Sequence, residues 1–225
     1  MVREEDFRQA RQRMVDEQLR GRDISDRRVL EVMRSVPRHL FVPADVVPVA
    51  YADAPLPIGF RQTISQPYIV ALMSQLLGLG GDEAVLEVGT GSGYQAAVLG
   101  GLARQVYTLE RIPELAEAAR RLLSELGIEN VDVRVGDGSA GLPEHAPYGG
   151  ILVAAAAPET PKPLLDQLAD GGRLVVPVGS IEGQVLERWT RRGEAFDCDR
   201  AAPVCFVPLV GEHGWKADLR PVEEG

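Results

Sequence analysis

Lysine is nearly absent from this chain: Lys162 and Lys216 are its only lysines among 24 basic residues, and no function follows from that bias. Acidic residues number 33, which leaves a formal net charge of −9 and no basic run, so no nucleic-acid partner is expected. Histidine and cysteine are scarce. His39, His145, His213, Cys198 and Cys205 have no ligand spacing, so no metal site is expected. No apolar run approaches the ~20 residues that a membrane span requires, so no membrane partner is expected. The opening MVREEDF is charged and lacks the apolar core of a secretion signal. The expected location is therefore cytoplasmic, with both thiols reduced. Internal repeats and low-complexity segments are lacking as well.

What is present is ordinary globular material, 45% hydrophobic and 25% charged over 225 residues. A single domain of this size buries roughly 70–75% of its unfolded surface and needs neither disulfide nor metal. Apolar spacing predicts a helix over 4–20, with Phe7, Met14 and Leu19 inward and Gly21 as its stop. A second helix follows Ser25, with Val29, Val32, Met33 and Val36 on one face and Pro37 at its end. Residues 37–61 hold five prolines between Pro37 and Pro57 and read as one long ordered loop. Ser65 or Gln66 then caps a helix that opens on Pro67 and carries Ile69, Leu72, Met73, Leu76 and Leu77 inward.

From residue 84 the pattern alternates. Strands at 84–88, 105–110, 131–135, 150–154 and 173–178 are separated by helices at 94–102, 113–126 and 161–169. This predicts an α/β fold: a mostly parallel sheet with helices on both faces. Strand-like runs at 184–191 and 203–210, with no helix between them, should pair antiparallel at one edge. The expected organisation is one domain over 1–225. It comprises an N-terminal helical extension (1–50), an active-site segment (51–80), a βα core (81–180), and C-terminal antiparallel strands with a tail (181–225).

The centre of the chain is Ala84–Tyr94, AVLEVGTGSGY. A buried strand runs into Gly89, Gly91 and Gly93 and then into a helix, the first crossover of a nucleotide-type α/β site. Without Cβ atoms such a turn lets the backbone approach a ligand closely, although a glycine-rich turn can also be purely structural. Two acids follow at successive strand ends. Glu110 can accept both hydroxyls of a ribose, and Asp137 in Gly136-Asp137-Gly138 can reach an adenine amino group beside the backbone N–H of Gly138. The spacing is G-x-G-x-G rather than the G-x-G-x-x-G that cradles a pyrophosphate, which favours a nucleoside without phosphates. S-adenosylmethionine fits, with Glu87 near the ammonium of its amino-acid tail.

Several stretches together resemble the protein-L-isoaspartate (D-aspartate) O-methyltransferase family. They are Val36-Pro37-Arg38 with Phe41-Val42-Pro43, Ala54–Met73 with Thr63-Ile64-Ser65-Gln66-Pro67, and VLEVGTGSGY; Leu109–Arg111, Gly136–Gly138, Gly171–Gly179 and Phe206–Leu209 complete the set. The resemblance runs from about residue 10 to 210. It implies a Rossmann-like S-adenosylmethionine-dependent methyltransferase fold, with S-adenosyl-L-homocysteine as product. It also implies a protein-repair reaction: methylation of the free α-carboxylate of isoaspartyl or D-aspartyl residues in damaged peptides and proteins, followed by spontaneous succinimide closure. Ser65 matches the family's active-site serine, and Thr63, Ile64, Ser65 and Gln66 match the stretch that borders the cofactor. A monomer is expected. Gly149, Ala154 and Cys205 depart from the family's common residues, and they motivate an alternative in which a dedicated peptide or small-molecule carboxylate is the acceptor. A third reading, a catalytically idle nucleoside-binding module, conflicts with the intact Thr63–Pro67 stretch.

Overall fold

The computed structural model describes residues 3–180 and 182–216; the expected tail over 217–225 lies outside the described residues. Helix α1 (Glu4–Arg13) starts with Glu4, Glu5 and Asp6, whose charges suit the positive end of the helix dipole. The single helix expected over 4–20 changes pitch. Met14–Leu19 is a π-helical stretch in which Arg20 N–H donates to the Val15 carbonyl at 3.0 Å. Met14, Val15 and Leu19 are all buried. Met14 and Leu19 lie five residues apart, a separation that the wider turn brings to one face and an α-turn does not. Helix α2 (Arg27–Ser35) is capped by Asp26, whose carboxylate accepts from the N–H groups of Arg28 (2.8 Å) and Val29 (3.3 Å).

The stretch expected as one loop over 37–61 is more ordered than that. Two 3₁₀ turns, Arg38–Phe41 and Val47–Val49, precede an antiparallel hairpin of β1 (Leu56–Gly59) and β2 (Gln62–Ile64). The hairpin was hidden because its apex, Phe60-Arg61, adopts left-handed φ of 51° and 56° without the glycine or asparagine that usually signals such a turn. Arg38 is fully buried, donates from Nε to the Ala50 carbonyl at 2.8 Å, and lies 4.9 Å above the Tyr94 ring. The extension is thereby packed onto the core.

Helix α3 (Pro67–Leu77) is followed by strand β3 (Ala84–Val88), helix α4 (Tyr94–Gly100), strand β4 (Gln105–Glu110), helix α5 (Pro113–Glu125), strand β5 (Val131–Val135), strand β6 (Tyr148–Val153), helix α6 (Lys162–Asp166) and strand β7 (Leu168–Ser180). Strands β8 (Gly183–Arg192) and β9 (Ala195–Val204) complete a seven-stranded sheet in the order β5-β4-β3-β6-β7-β8-β9. The first five positions are parallel and the last two pairings antiparallel. Side-chain alternation splits the core. Val85, Val106, Leu152 and Val175 face one cluster with helices α2 to α5, while Leu86, Ile151, Val153, Leu174 and Val176 face the other with α6.

Two expectations shift. Helix α6 stops at Asp166, short of 169, because Leu168 already pairs with Tyr148 and Gln167 bonds to the Leu142 N–H and the Ala140 carbonyl. The antiparallel partner of β8 is 195–204, not 203–210. The run at 203–210 resembled a strand because it is apolar, with Leu209 buried in the core, whereas the true edge strand is largely exposed and polar. Among the described residues, no helix is long and apolar enough to cross a membrane.

Replacing Asp26 by Ala removes two capping bonds and should cost about 1 kcal/mol. A lower urea midpoint with one unchanged transition is expected; a separate early transition would show that the extension folds independently.

Candidate active site

In the sheet order, β3 is flanked by β4 on one side and β6 on the other, so connections leave in opposite directions and a crevice opens at the carboxyl end of β3. The glycine turn fills that position. Gly89, Gly91 and Gly93 have φ of 95°, 53° and 86°. At Gly93, which caps α4, a Cβ would also press on Ala119 Cβ at 3.2 Å, so only glycine suits the place. Gly91 N–H donates to Glu110 Oε2 at 2.9 Å, and Ile112 N–H donates to Glu110 Oε1 at 3.0 Å. Each carboxylate oxygen keeps a lone pair free, and the group lines the cleft at the end of β4.

Two clefts meet here. The inner one is bounded by the glycine turn, Glu110, Gly136, Gly138 and, across it, Val207–Val210. The outer one is bounded by Pro55, Gln66, Ile69 and 203–207. Thr63, Ser65, Ala154 and Val207 belong to both walls. Ser65 therefore stands at the seam, and its hydroxyl is not the helix cap: Gln66 is the N-cap residue of α3, and its side chain donates to the Asp53 carbonyl at 3.0 Å. Helix α3 packs on α4 behind the glycine turn, where Gln95 Nε2 donates to Ser74 Oγ at 2.9 Å, and a Cβ on Gly91 would touch Ile58 of the hairpin at 3.4 Å.

Of the residues singled out from sequence, Thr63, Ile64, Ser65, Gly89, Gly91, Glu110 and Gly138 line the inner cleft, whereas Gln66 lines only the outer one. Gly93 lies behind the turn. Glu87 lies in neither wall and is fully buried. Thr108 Oγ1 donates to Glu87 Oε2 at 2.5 Å and shares a 2.6 Å bond with Thr90, which does face the cleft. Burial, reinforced by the negative Glu110 and opposed by the Thr108 bond, pushes the Glu87 carboxyl up to about 8. Asp137 is also engaged otherwise, accepting from Ser139 N–H (2.9 Å), Ser139 Oγ (2.7 Å) and Glu212 N–H (2.7 Å). Gly138 is required for packing, since a Cβ there would overlap Val88.

Sequence reasoning missed the far wall, Val207–Val210, although Phe206–Leu209 had been noted as a motif. Gly149 has a local cause unrelated to the site: a Cβ would overlap Glu83. Ala154 and Cys205 do line the outer cleft. Cys198 and Cys205 are free thiols, and no group of three metal-ligating side chains occurs among the described residues.

A mostly parallel seven-stranded sheet, with a G-x-G-x-G turn at its switch point and an acid at the next strand end, defines the class of S-adenosylmethionine-dependent methyltransferases. The chain belongs to the protein-L-isoaspartate(D-aspartate) O-methyltransferase family, whose model matches residues 9–214. It is 51% identical over 214 residues to the protein-L-isoaspartate O-methyltransferase of Methanoculleus marisnigri, covering 95% of this chain and 97% of that one. It is 56% identical over 210 residues to protein-L-isoaspartate O-methyltransferase 1 of Syntrophobacter fumaroxidans, covering 93% and 98%. Among solved structures, a protein-L-isoaspartate O-methyltransferase superposes with a TM-score of 0.82 at 29% identity, over 91% of this chain and 67% of that one. A structure from Plasmodium falciparum, described as a protein of this family in complex with S-adenosyl-L-homocysteine, gives 0.77 at 27%, over 89% and 98%.

The Glu110 carboxylate, braced by two N–H groups with lone pairs to spare, suits a pair of vicinal hydroxyls. Glu110→Ala should weaken S-adenosyl-L-homocysteine binding by roughly 1–3 kcal/mol in titration calorimetry. Unchanged affinity would remove Glu110 from the site. A second expectation concerns pH. The native protein keeps a proton on Glu87 that the unfolded chain releases above about pH 4.5, so stability falls as pH rises from there to about 8. Glu87→Gln should abolish this loss and gain on the order of 1.4 kcal/mol per pH unit relative to the parent in that window. Parallel urea midpoints of the two proteins at pH 5 and pH 8 would show instead that Glu87 titrates normally.

Proposed function

We infer that this protein is a repair methyltransferase. It transfers a methyl group from S-adenosylmethionine to the free α-carboxylate of L-isoaspartyl and D-aspartyl residues in damaged proteins. The observation that carries the reading is the family match over 9–214, within which Ser65 stands where the inner and outer clefts meet. We assign the inner cleft to the cofactor and the outer cleft to the isoaspartyl peptide. Thr63 and Ser65 border both ligands, Ile64 serves the cofactor side, and Gln66 serves the acceptor side. Gly89, Gly91, Gly138 and Glu110 hold the nucleoside; Gly93 shapes the turn from behind; Glu87 and Asp137 act on the pocket from outside its wall.

When bound, S-adenosylmethionine supplies an electrophilic methyl group on a sulfonium. The chain's residues then have little covalent work. An α-carboxyl group with an ordinary pKa of roughly 3.5 is ionised at neutral pH, so the attacking oxygen needs no base. The Ser65 hydroxyl can donate to one carboxylate oxygen and leave the other free. Holding two reactants in line is worth up to ~7–11 kcal/mol. Val88, Leu109, Val207 and Leu209 make apolar parts of the inner wall, which suits a transfer in which opposite charges are neutralised. We further propose a cytoplasmic monomer: Cys198 and Cys205 are free, and Asp197, Asp199 and Arg200 blunt the exposed β9 edge against self-pairing.

The test is methyl transfer from labelled S-adenosylmethionine to an isoaspartyl peptide and to its normal aspartyl twin. Label in the first alone is expected; equal label in both, or none in either, would overturn the reading. Ser65→Ala should lower turnover about tenfold or more, the scale of a lost hydrogen bond to a charged group, with S-adenosyl-L-homocysteine affinity little changed. A parallel loss of affinity would make Ser65 a cofactor-loop residue instead.

A further inference from the structure

The segment 205–216 leaves the sheet edge after β9 and returns across the carboxyl ends of the strands. Its near end is fixed to the loop after β6: Ala156 N–H donates to the Val207 carbonyl and Leu209 N–H to the Ala156 carbonyl, both at 2.8 Å. Trp215 reinforces this, donating from Nε1 to the Ala156 carbonyl at 3.1 Å and from its N–H to the Leu209 carbonyl at 2.7 Å. Its far end is fixed to the loop after β5. Glu212 N–H donates to Asp137 Oδ2 at 2.7 Å, and His213 N–H donates to Ser139 Oγ at 3.0 Å. The Ser139 hydroxyl in turn donates to Asp137 Oδ1 at 2.7 Å. Strands β5 and β6 are separated by β4 and β3 in the sheet, so the segment bridges the strand ends that carry Glu110 and the glycine turn. The near anchor and the residue that follows it, Val207–Val210, form the far wall of the inner cleft.

We propose that Asp137 and Ser139 are positioning residues: they latch the 205–216 segment across the sheet and so hold the wall of the cofactor cleft in place. Ser139 is fully buried and lines neither cleft, so it acts on a ligand only through the segment it holds. The Asp137 carboxyl is held below the ordinary carboxylate range. Burial alone would raise it, but the Glu212 N–H and the two bonds from Ser139 outweigh that effect, so the latch is a carboxylate accepting hydrogen bonds. Gly211 completes the fit, since a Cβ there would overlap both the Asp137 carboxylate and the Ser139 hydroxyl. The proposal rests on assigning the inner cleft to S-adenosylmethionine.

Two variants test it without altering a cleft residue. Ser139→Ala deletes the hydroxyl, and Gly211→Ala displaces the segment from the opposite side. Each should raise KM for S-adenosylmethionine roughly three- to tenfold, the ratio that one lost hydrogen bond produces. Turnover and KM for the isoaspartyl peptide should stay unchanged, and Ser139→Thr, which keeps the hydroxyl, should recover the parent KM. In the cofactor-free protein both Ala variants should speed amide exchange at 207–213 and leave β3 and β4 as protected as in the parent. Unchanged exchange at 207–213 together with unchanged KM would overturn the latch, as would faster exchange throughout the sheet with turnover falling in step. Parent protein that binds no S-adenosyl-L-homocysteine in calorimetry would instead overturn the cofactor assignment, and the exchange data would still decide the latch.

Discussion

The amide of Gly91 donates to the carboxylate of Glu110, and this bond ties the turn after β3 to the end of β4. A carboxylate at a strand end in water could point anywhere. Here two backbone N–H groups, from Gly91 and Ile112, fix its plane and leave the outer lone pairs facing the cleft. The same bond constrains the turn. Gly91 has φ +53°, where a side chain would be strained and would also meet Ile58. Hairpin, glycine turn and Glu110 therefore lie against one another. Ser65 follows the hairpin directly and stands at the seam of the two clefts.

Two carboxyl groups at neighbouring strands show how strongly position decides chemistry. Glu110 lines the cleft and accepts from two backbone N–H groups. Glu87, one strand over, has only the Thr108 hydroxyl as donor and no cation nearby, so burial keeps its proton on at neutral pH. A protonated Glu87 is also compatible with its position behind the turn, because it adds no second negative charge next to Glu110. The hydroxyl pair Thr108–Thr90 connects it to the cleft wall.

The βα core was legible in the sequence because most strands there are short apolar runs that end in glycine or an acid, separated by stretches of helical apolar periodicity. The failures share a cause. The π stretch at Met14–Leu19, the hairpin at 56–64 and the true edge strand at 195–204 all depend on tertiary contacts that no local pattern announces. A strand exposed on both faces reads as polar loop; an apolar loop bonded across strand ends, such as 205–210, reads as a strand. The site divides the same way. Gly91 and Glu110 were singled out by residue type and position at strand ends, whereas Ser65 reads locally as a helix cap and was singled out only through the resemblance of Thr63–Pro67 to a known family. Val207–Val210 were not, because a wall of Val, Pro and Leu bears no chemical mark until the chain's return path is known. Asp137 is the intermediate case: an acid in a Gly-Asp-Gly turn signals a ligand, and only its three hydrogen bonds show that much of its capacity is given to the chain itself.

A site that asks for no proton transfer puts its selectivity into geometry. The acceptor oxygen is already ionised, so rate depends on where two ligands meet rather than on a tuned acid or base. That places the demand on the seam: Thr63, Ser65, Ala154 and Val207, contributed by the hairpin and the residue after it, the loop after β6 and the returning segment. These parts of the chain are fixed in place by hydrogen bonds beside the clefts: Gln66 to Asp53, and Ala156 to Val207 and Leu209. A carboxylate displaced by an ångström from the seam would still be charged but no longer in line. The protein's investment in buried, non-reacting contacts around an almost inert active site follows from that requirement.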